Sequence, residues 1–176
     1  MTTTKWKIDP VHSEIGFKVR HMMLTNVSGQ FLDFEGSLHQ SDGSFDAAEI
    51  SFTGEVGSLT TGNADRDAHL LSVDFFDTEQ FPKMAFISKS FTKISDVEFL
   101  LKGDFTLHGV TKAVRLQAEF EGVNDDPWGN TRAGFNFSGK LNRKDWGLTW
   151  NSLLETGGVM VGEEVILNIQ LQFIKT

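Results

Sequence analysis

Apolar and polar residues alternate with a period of two through most of this chain, and no other feature constrains its fold as strongly. In the segment Lys112–Glu121 every second residue is apolar: Val114, Leu116, Ala118 and Phe120. Successive side chains of a β-strand point to opposite faces, so the pattern predicts strands with one buried and one solvated face. Similar segments are Trp6–Ile8, Glu14–His21, Val27–Leu38, Glu49–Val56, Lys83–Phe91, Glu98–Leu107, Arg132–Leu141 and Val165–Phe173. We therefore predict an all-β chain with eight to ten antiparallel strands in one domain spanning residues 1–176.

Two all-β architectures accommodate such strands, and the alternation alone leaves both open. A sandwich fills its core with side chains from two sheets, whereas a closed barrel of about eight strands is either plugged by side chains or holds one small ligand. Small residues interrupt the large ones on the inward faces: Gly54, Gly103, Gly139, Ala118 and Ala133. They would leave unfilled volume inside a barrel, although glycines are also typical of bulges and bends in a curved sheet.

One segment, residues 63–72, breaks the alternation and predicts a short helix. Asn63 is a favourable N-cap, and Ala64, Ala68 and Leu71 follow at the spacing of one helix face. We expect this helix to lie over an opening of the barrel.

The composition favours an apolar interior and argues against several kinds of partner. The chain has 16 Phe and 4 Trp but no Tyr, so its aromatic surface lacks hydroxyl groups. Its net charge is −8, which disfavours nucleic acid as a partner. No apolar run approaches the roughly 20 residues of a membrane span. The start of the sequence lacks the pattern of a secretory signal, so we expect a cytoplasmic protein, or a periplasmic one if this is a mature form.

The sequence contains no recognisable catalytic or metal motif. Five histidines lie on different segments without metal-ligand spacing: His12, His21, His39, His69 and His108. There is no cysteine, nucleophile elbow, phosphate loop or dinucleotide fingerprint. We therefore expect a binding module without a metal or cofactor, while a metal assembled from distant strands stays open. His12 and His21 are expected to be buried structural residues.

Several short motifs, in their order and spacing, resemble the YceI-like family over about Trp6 to Phe173. They include Trp6–Asp9, Pro10–Phe17, Arg66-Asp67, His69-Leu70, Gly103–Leu107, Arg143–Gly147 and Val161–Val165. The resemblance implies a single antiparallel, lipocalin-like, elongated β-barrel of about eight strands with one short α-helix near an opening. It also implies a lumen that binds a polyisoprenoid chain, such as a polyprenyl phosphate or the tail of a quinone. Many members of the family are exported to the bacterial periplasm.

On this basis we expect inward apolar residues to contact the lipid tail. They are Phe17, Phe31, Phe52, Phe75, Phe86, Phe105, Leu116, Ala118, Ala133, Phe135, Phe137 and Ile169. The candidates for binding a polar head group are Arg66, His69, His21 and Arg143. For Arg66 an ordinary salt bridge to Asp65, Asp67 or Asp74 is an equally simple explanation.

The leading hypothesis is therefore a protein that binds, transports or stores a long-chain apolar lipid, with that lipid as its only ligand. Two alternatives stay open: an enzyme or redox accessory acting on a bound lipid or quinone, and a stress-response structural protein with a filled core. An apolar patch at Met22-Met23-Leu24 could also support a homodimer.

Overall fold

The computed structural model describes residues 2–154 and 158–176, which contain eleven strand segments and one α-helix. The helix is α1 (Ala64–Leu71), as predicted, and the Asn63 side chain caps it by accepting a hydrogen bond of 2.9 Å from the backbone nitrogen of Arg66. The strands are β1 (Thr3–Ile8), β2 (Glu14–His21), β3 (Thr25–Phe31), β4 (Phe34–Ser41), β5 (Ser44–Glu55), β6 (Leu59–Thr60), β7 (Lys83–Lys93), β8 (Glu98–Leu107), β9 (Val110–Asp125), β10 (Thr131–Asn142) and β11 (Val161–Lys175).

These segments form one antiparallel sheet that closes on itself. The order is β1-β4-β5-β7-β8-β9-β10-β11, and β11 returns to β1, where Phe173 lies opposite Ile8. Both β1 and β2 pair with β11, β4 pairs with β1 while β3 pairs with β2, and β6 pairs with β3. Three of the barrel strands thus each consist of two consecutive segments: β1 with β2, β3 with β4, and β5 with β6. The fold is a closed barrel of eight strands, and the sandwich alternative is excluded.

The predicted single strand over Val27–Leu38 is wrong, because the chain breaks between β3 and β4. At the break the backbone nitrogens of Leu32 and Asp33 both donate to the Ser58 hydroxyl, at 3.1 and 3.0 Å. One side chain therefore satisfies two N–H groups that would otherwise need a neighbouring strand. Because of this break, β3 pairs with β2 while β4 pairs with β1.

One half of the barrel is filled by phenylalanine rings. Phe135 on β10 is almost completely buried, and its ring lies within 5.0 to 6.2 Å of six others: Phe45, Phe91, Phe99, Phe120, Phe137 and Phe173. Phe91 and Phe99 stack with their centroids 4.7 Å apart. Each such pair adds about 0.5–1.5 kcal/mol to the gain from burying apolar area. This half is a solid core.

The glycines on the inward faces do not create empty space, so that part of the sequence interpretation is wrong. A Cβ atom at Gly54 would lie 2.6 Å from the Met84 Cε atom, and one at Gly139 would lie 2.5 Å from the Leu116 Cδ2 atom. At Gly103 the ring of Phe86 occupies the same position. Large neighbouring side chains cross over each glycine and use its volume.

A polar network ties strands together at the filled end. Arg132 on β10 donates to Asp126 at 2.8 Å, to Asp9 at 2.7 Å and to the side-chain oxygen of Gln172 at 2.7 Å. Asp9 also lies 2.7 Å from the ring of His12. His12 is exposed, so the expectation that it is a buried residue is wrong: it is the last residue of a 3-10 turn (Pro10–His12).

Candidate ligand-binding site

The other half of the barrel is hollow. It contains a cavity of about 240 Å³ whose walls come mainly from apolar side chains of β2, β3, β8, β10, β11 and the region around α1. Six polar residues complete the lining: Arg20, His21, Thr61, Arg66, His69 and Arg143. The cavity reaches solvent beside His69, whose side chain is about half exposed. We call this end of the barrel the mouth.

A second cavity of about 120 Å³ lies deeper in the barrel and is lined almost entirely by apolar side chains. It shares six residues with the first: Phe17, Phe31, Met84, Phe105, Leu141 and Leu167. Phe137 lines this second cavity, and its centroid lies 6.0 Å from that of Phe135 in the filled half. The two cavities therefore follow one another from the mouth to a floor of packed rings.

Nine of the twelve residues predicted to contact a lipid tail line these cavities. Phe17, Phe31 and Phe105 line both of them, and Phe75 lines the first. The second cavity is lined by the remaining five, namely Phe52, Phe86, Leu116, Phe137 and Ile169.

The other three predicted residues line neither cavity. Ala118, Ala133 and Phe135 are buried, as their alternation requires, but they lie in the filled half. Ala118 sits opposite both Phe99 and Phe137, and Ala133 sits opposite Phe173. Strand parity fixes which face a residue occupies, and it does not report how far along the barrel the packing rings extend.

All four predicted head-group candidates line the first cavity, although their surroundings differ. Arg143 is the most buried, with only 5% of its surface exposed. Its guanidinium donates to three backbone carbonyls: Gly162 at 2.8 Å, Leu148 at 2.6 Å and Val161 at 3.2 Å. No carboxylate of the described residues lies within salt-bridge distance of it. Burial lowers the pKa of Arg143, but an arginine remains protonated, so a positive charge sits beside an apolar cavity.

Arg66 is held by a threonine and makes no salt bridge with an aspartate in the described part of the chain. Its Nε atom donates to the Thr61 hydroxyl at 2.7 Å, and its Nη2 atom donates to the Thr61 carbonyl at 2.8 Å. Thr61 in turn donates its backbone N–H to Asp67 at 2.9 Å. Asp67 thus positions the threonine that positions the guanidinium, and the ion-pair explanation of Arg66 does not apply.

His69 belongs to an aromatic cluster at the mouth. Its Nε2 atom lies 2.8 Å from the Oδ2 atom of Asp74, and its ring meets those of Trp150 and Phe75 edge-on at 4.8 and 5.1 Å. His21, at the end of β2, is half-buried in the same wall. The mouth therefore combines hydrogen-bonding side chains with large apolar rings.

Sequence reasoning missed the contribution of the segment between β10 and β11. Trp146, Leu148, Trp150 and Met160 all line the first cavity, although they belong to no regular strand. Without a repeating pattern the segment gave no prediction of which side chains point inward. The only available signal was two tryptophans close to Arg143 in a chain that has four.

The described residues hold no cluster of three or more His, Cys, Asp or Glu side chains that could bind a metal ion. Over the same residues, no helix combines the length and the apolar character needed to cross a membrane.

A closed, eight-stranded antiparallel barrel with one helix at its mouth and an apolar interior cavity is a lipocalin-like barrel. This chain belongs to the YceI-like family, since the model of the YceI-like domain matches residues 6–173. The match confirms the family indicated by the sequence motifs.

Relatives and solved structures agree with this assignment. A UPF0312 protein of Staphylococcus epidermidis is 38% identical over 171 residues, 97% of each chain, and one of Staphylococcus aureus is 34% identical over the same length. The YCEI protein of Campylobacter jejuni superposes with a TM-score of 0.77 at 30% identity, covering 89% of each chain. At 16% identity, BcnA of Burkholderia cenocepacia gives a TM-score of 0.81 over 94% of this chain and 98% of its own. A polyisoprenoid binding domain from Saccharophagus degradans gives 0.72 at 14% identity, over 97% and 98% of the two chains.

Proposed function

We propose that this protein binds a lipid with a long apolar tail, of the polyisoprenoid class, and holds the tail inside the barrel with its head group at the mouth. The observation that carries the proposal is the arrangement of the two cavities. Their walls are apolar down to the ring of Phe137, and every charged group in the lining lies on the first cavity. Such a gradient matches an amphiphile in one orientation.

The volume and the chemistry of the cavities favour occupation by hydrocarbon. A buried cavity of about 150 Å³ with apolar walls stays dry and takes up a ligand as large as benzene. The second cavity has wholly apolar walls of this kind, and the first adds about 240 Å³ directly beside it. Each methylene group moved from water into such a site contributes about 0.8 kcal/mol, so a tail can bind well without any hydrogen bond.

The charged groups at the mouth favour a polar or anionic head group. Arg143 makes three hydrogen bonds, although a guanidinium has five N–H donors, and Arg66 is fixed by Thr61. A phosphate is a good acceptor for two such cations, and a quinone oxygen would accept from only one or two donors. A free alcohol likewise offers a single oxygen, so we favour a polyprenyl phosphate over both the quinone and the alcohol.

The packed floor sets the length of tail that the barrel encloses. Beyond Phe137 the interior is occupied by Phe135 and its neighbours, so a longer tail must displace rings or leave the barrel through the mouth. Binding should strengthen with each added isoprene unit until the tail reaches this floor.

The neighbour from Saccharophagus degradans is named as a polyisoprenoid binding domain, which supports the same ligand class for this chain.

We also propose that the protein binds its ligand without transforming it. The polar groups at the mouth hold one another through Thr61, Asp74 and backbone carbonyls, an arrangement suited to fixing a head group. Elemental analysis of the purified protein, with an assay for turnover of the bound lipid, separates this role from that of a lipid-modifying or redox enzyme. A stoichiometric metal together with turnover would contradict it.

Native mass spectrometry of the purified protein tests lipid binding. We expect an adduct that organic solvent removes and that added geranylgeranyl phosphate restores at one molecule per chain. The extracted lipid identifies the natural tail and head group. A protein that purifies without an adduct and takes up neither geranylgeranyl phosphate nor geranylgeraniol would contradict the proposal.

A further inference from the structure

An exposed apolar tip projects from the barrel beside the mouth. It is the turn between β2 and β3, where Met23 is 57% exposed and Leu24 is 73% exposed. Met22, the third residue of the tip, is also exposed. Among the described residues Gly158 lies against the Met23 side chain, and more than half of the surface of Met23 and Leu24 stays exposed.

The backbone of this tip is strained. Met22 and Met23 have φ angles of 50° and 60°, in the left-handed region that side-chain-bearing residues rarely adopt. Two consecutive positive φ angles are the pattern of a type I′ turn, which strongly prefers Asn-Gly. Methionines at both positions weaken the hairpin and also expose apolar surface to water. A strained and exposed apolar pair points to a function that outweighs both costs.

The tip is connected directly to the wall of the cavity. The backbone nitrogen of Met22 donates to the carbonyl of Met160 at 2.7 Å, and Met160 lines the first cavity. Met160 also donates to the carbonyl of Ser152, next to Leu153, which is 81% exposed. We define Met22, Met23, Leu24 and Leu153 as the rim patch. These hydrogen bonds place the exposed apolar residues of the rim patch next to Met160, at the wall of the first cavity.

We propose that the rim patch inserts into the surface of a lipid bilayer, so that the lumen loads and unloads its ligand without the tail crossing water. This inference rests on the proposed lipid binding, because only a lipid ligand needs such a path. Four apolar side chains suit the boundary between head groups and acyl chains. A standard protein interface takes roughly 20–30 residues from each partner, far more than these four, which disfavours a second copy as the occupant.

The charge of the protein indicates which bilayer it meets. The net charge of −8 disfavours approach to a strongly anionic surface, and among the described residues the one cation hydrogen-bonded to the tip is Arg20, which donates to the Met23 carbonyl at 3.2 Å. Docking therefore depends on apolar insertion. Binding should be stronger to phosphatidylcholine vesicles than to vesicles that contain phosphatidylglycerol, and added salt should reduce that difference.

The test compares flotation with phosphatidylcholine vesicles for the wild type and three variants. Met23→Glu with Leu24→Glu should lower the floating fraction about tenfold, because two apolar groups are replaced by charges. Met22→Asn with Met23→Gly should also lower it while raising the melting temperature, since these residues suit the turn. The control is Trp128→Glu, which removes an exposed aromatic ring from the β9–β10 turn at the opposite end of the barrel and should float like the wild type.

A second measurement separates docking from lipid binding. The paired glutamate variant should extract geranylgeranyl phosphate from vesicles more slowly than the wild type, yet bind it with unchanged affinity when it is delivered from detergent. Wild-type protein that takes up lipid from detergent but does not float, or a glutamate variant that floats normally, would overturn the docking proposal alone. Failure of uptake from detergent would overturn the proposed function. A concentration-dependent dimer that the glutamate variant abolishes would assign the rim patch to a second copy instead.

Discussion

Phe137 on β10 lies directly opposite Ala118 on β9, and the pair marks the boundary between the hollow and the filled halves of the barrel. Phe137 lines the second cavity, whereas Ala118 is buried among the rings that close the interior. The Phe137 ring thus forms part of the floor on which a ligand tail would end, with the packed rings of the filled half behind it.

Removing the Phe137 ring should lengthen the tail that the protein encloses. For the wild type we expect affinity to rise from farnesol to geranylgeraniol and to level off before solanesol, which has a much longer tail. In Phe137→Ala the plateau should move to longer tails, at a cost of about 3–5 kcal/mol in the stability of the unliganded protein. Titration followed by the fluorescence of Trp146 and Trp150, which line the first cavity, measures the series.

Phe99→Ala is the matched control for this experiment, because Phe99 is buried in the filled half and lines neither cavity. It should cost similar stability without moving the plateau. If the plateau moved equally in both variants, loss of any ring of the filled half would admit a longer tail. Phe137 would then not set the tail length.

Enlarging the small residues of the filled half should destabilise the fold. Ala118→Phe and Ala133→Phe would force rings into a packed core, and overpacking costs typically about 1–3 kcal/mol at each site. Urea unfolding of the unliganded variants measures the loss. Variants as stable as the wild type would show that space remains beyond Phe137.

Charge at the mouth should matter for one class of ligand only. Arg66→Ala with His69→Ala should weaken the binding of geranylgeranyl phosphate by about 1–3 kcal/mol, as for a lost hydrogen bond to a charged group. Binding of geranylgeraniol should barely change. Equal losses for the two ligands, measured by calorimetry, would mean that the helix shapes the barrel and does not contact the head group.

Acid should loosen the network at the filled end. The hydrogen bond from Arg132 lowers the pKa of Asp126 to about 2, from an ordinary value of 3.8. Burial alone would raise the pKa of Asp9, but the hydrogen bonds from His12 and Arg132 lower it overall. Carboxylates with a lowered pKa in the folded state stabilise it above their unfolded pKa, and this contribution is lost as the pH falls through the folded pKa.

We therefore expect the melting temperature to fall as the pH is lowered from about 5 to 2, and to fall less steeply in Arg132→Gln. Thermal unfolding by circular dichroism across this range checks the slope. Parallel curves for the two proteins would remove Arg132 from the explanation.

The sequence predicted what depends on local periodicity and missed what depends on packing along the barrel. Alternation identified the strands and the inward side of β9 and β10, because the position of a side chain on a strand follows from its parity. It could not show that the ring of Phe86 covers Gly103, because these two residues lie on different strands and are 17 positions apart in sequence. Nor could it place Trp150, which lies in an irregular segment and faces His69 across the mouth.

The most direct test of lipid binding inside the barrel compares a tryptophan at each of two adjacent positions on β11. One of these positions faces the lumen and the other faces outward. Val165 lines the first cavity, whereas Ile166 is exposed on the outer face of the same strand. Uptake of geranylgeranyl phosphate should be measured by native mass spectrometry for Val165→Trp and Ile166→Trp, with the melting temperature of each unliganded protein recorded alongside. We predict that Val165→Trp abolishes uptake while remaining folded and that Ile166→Trp binds like the wild type. Normal uptake by a folded Val165→Trp would show that the lipid does not occupy the lumen and would contradict the account.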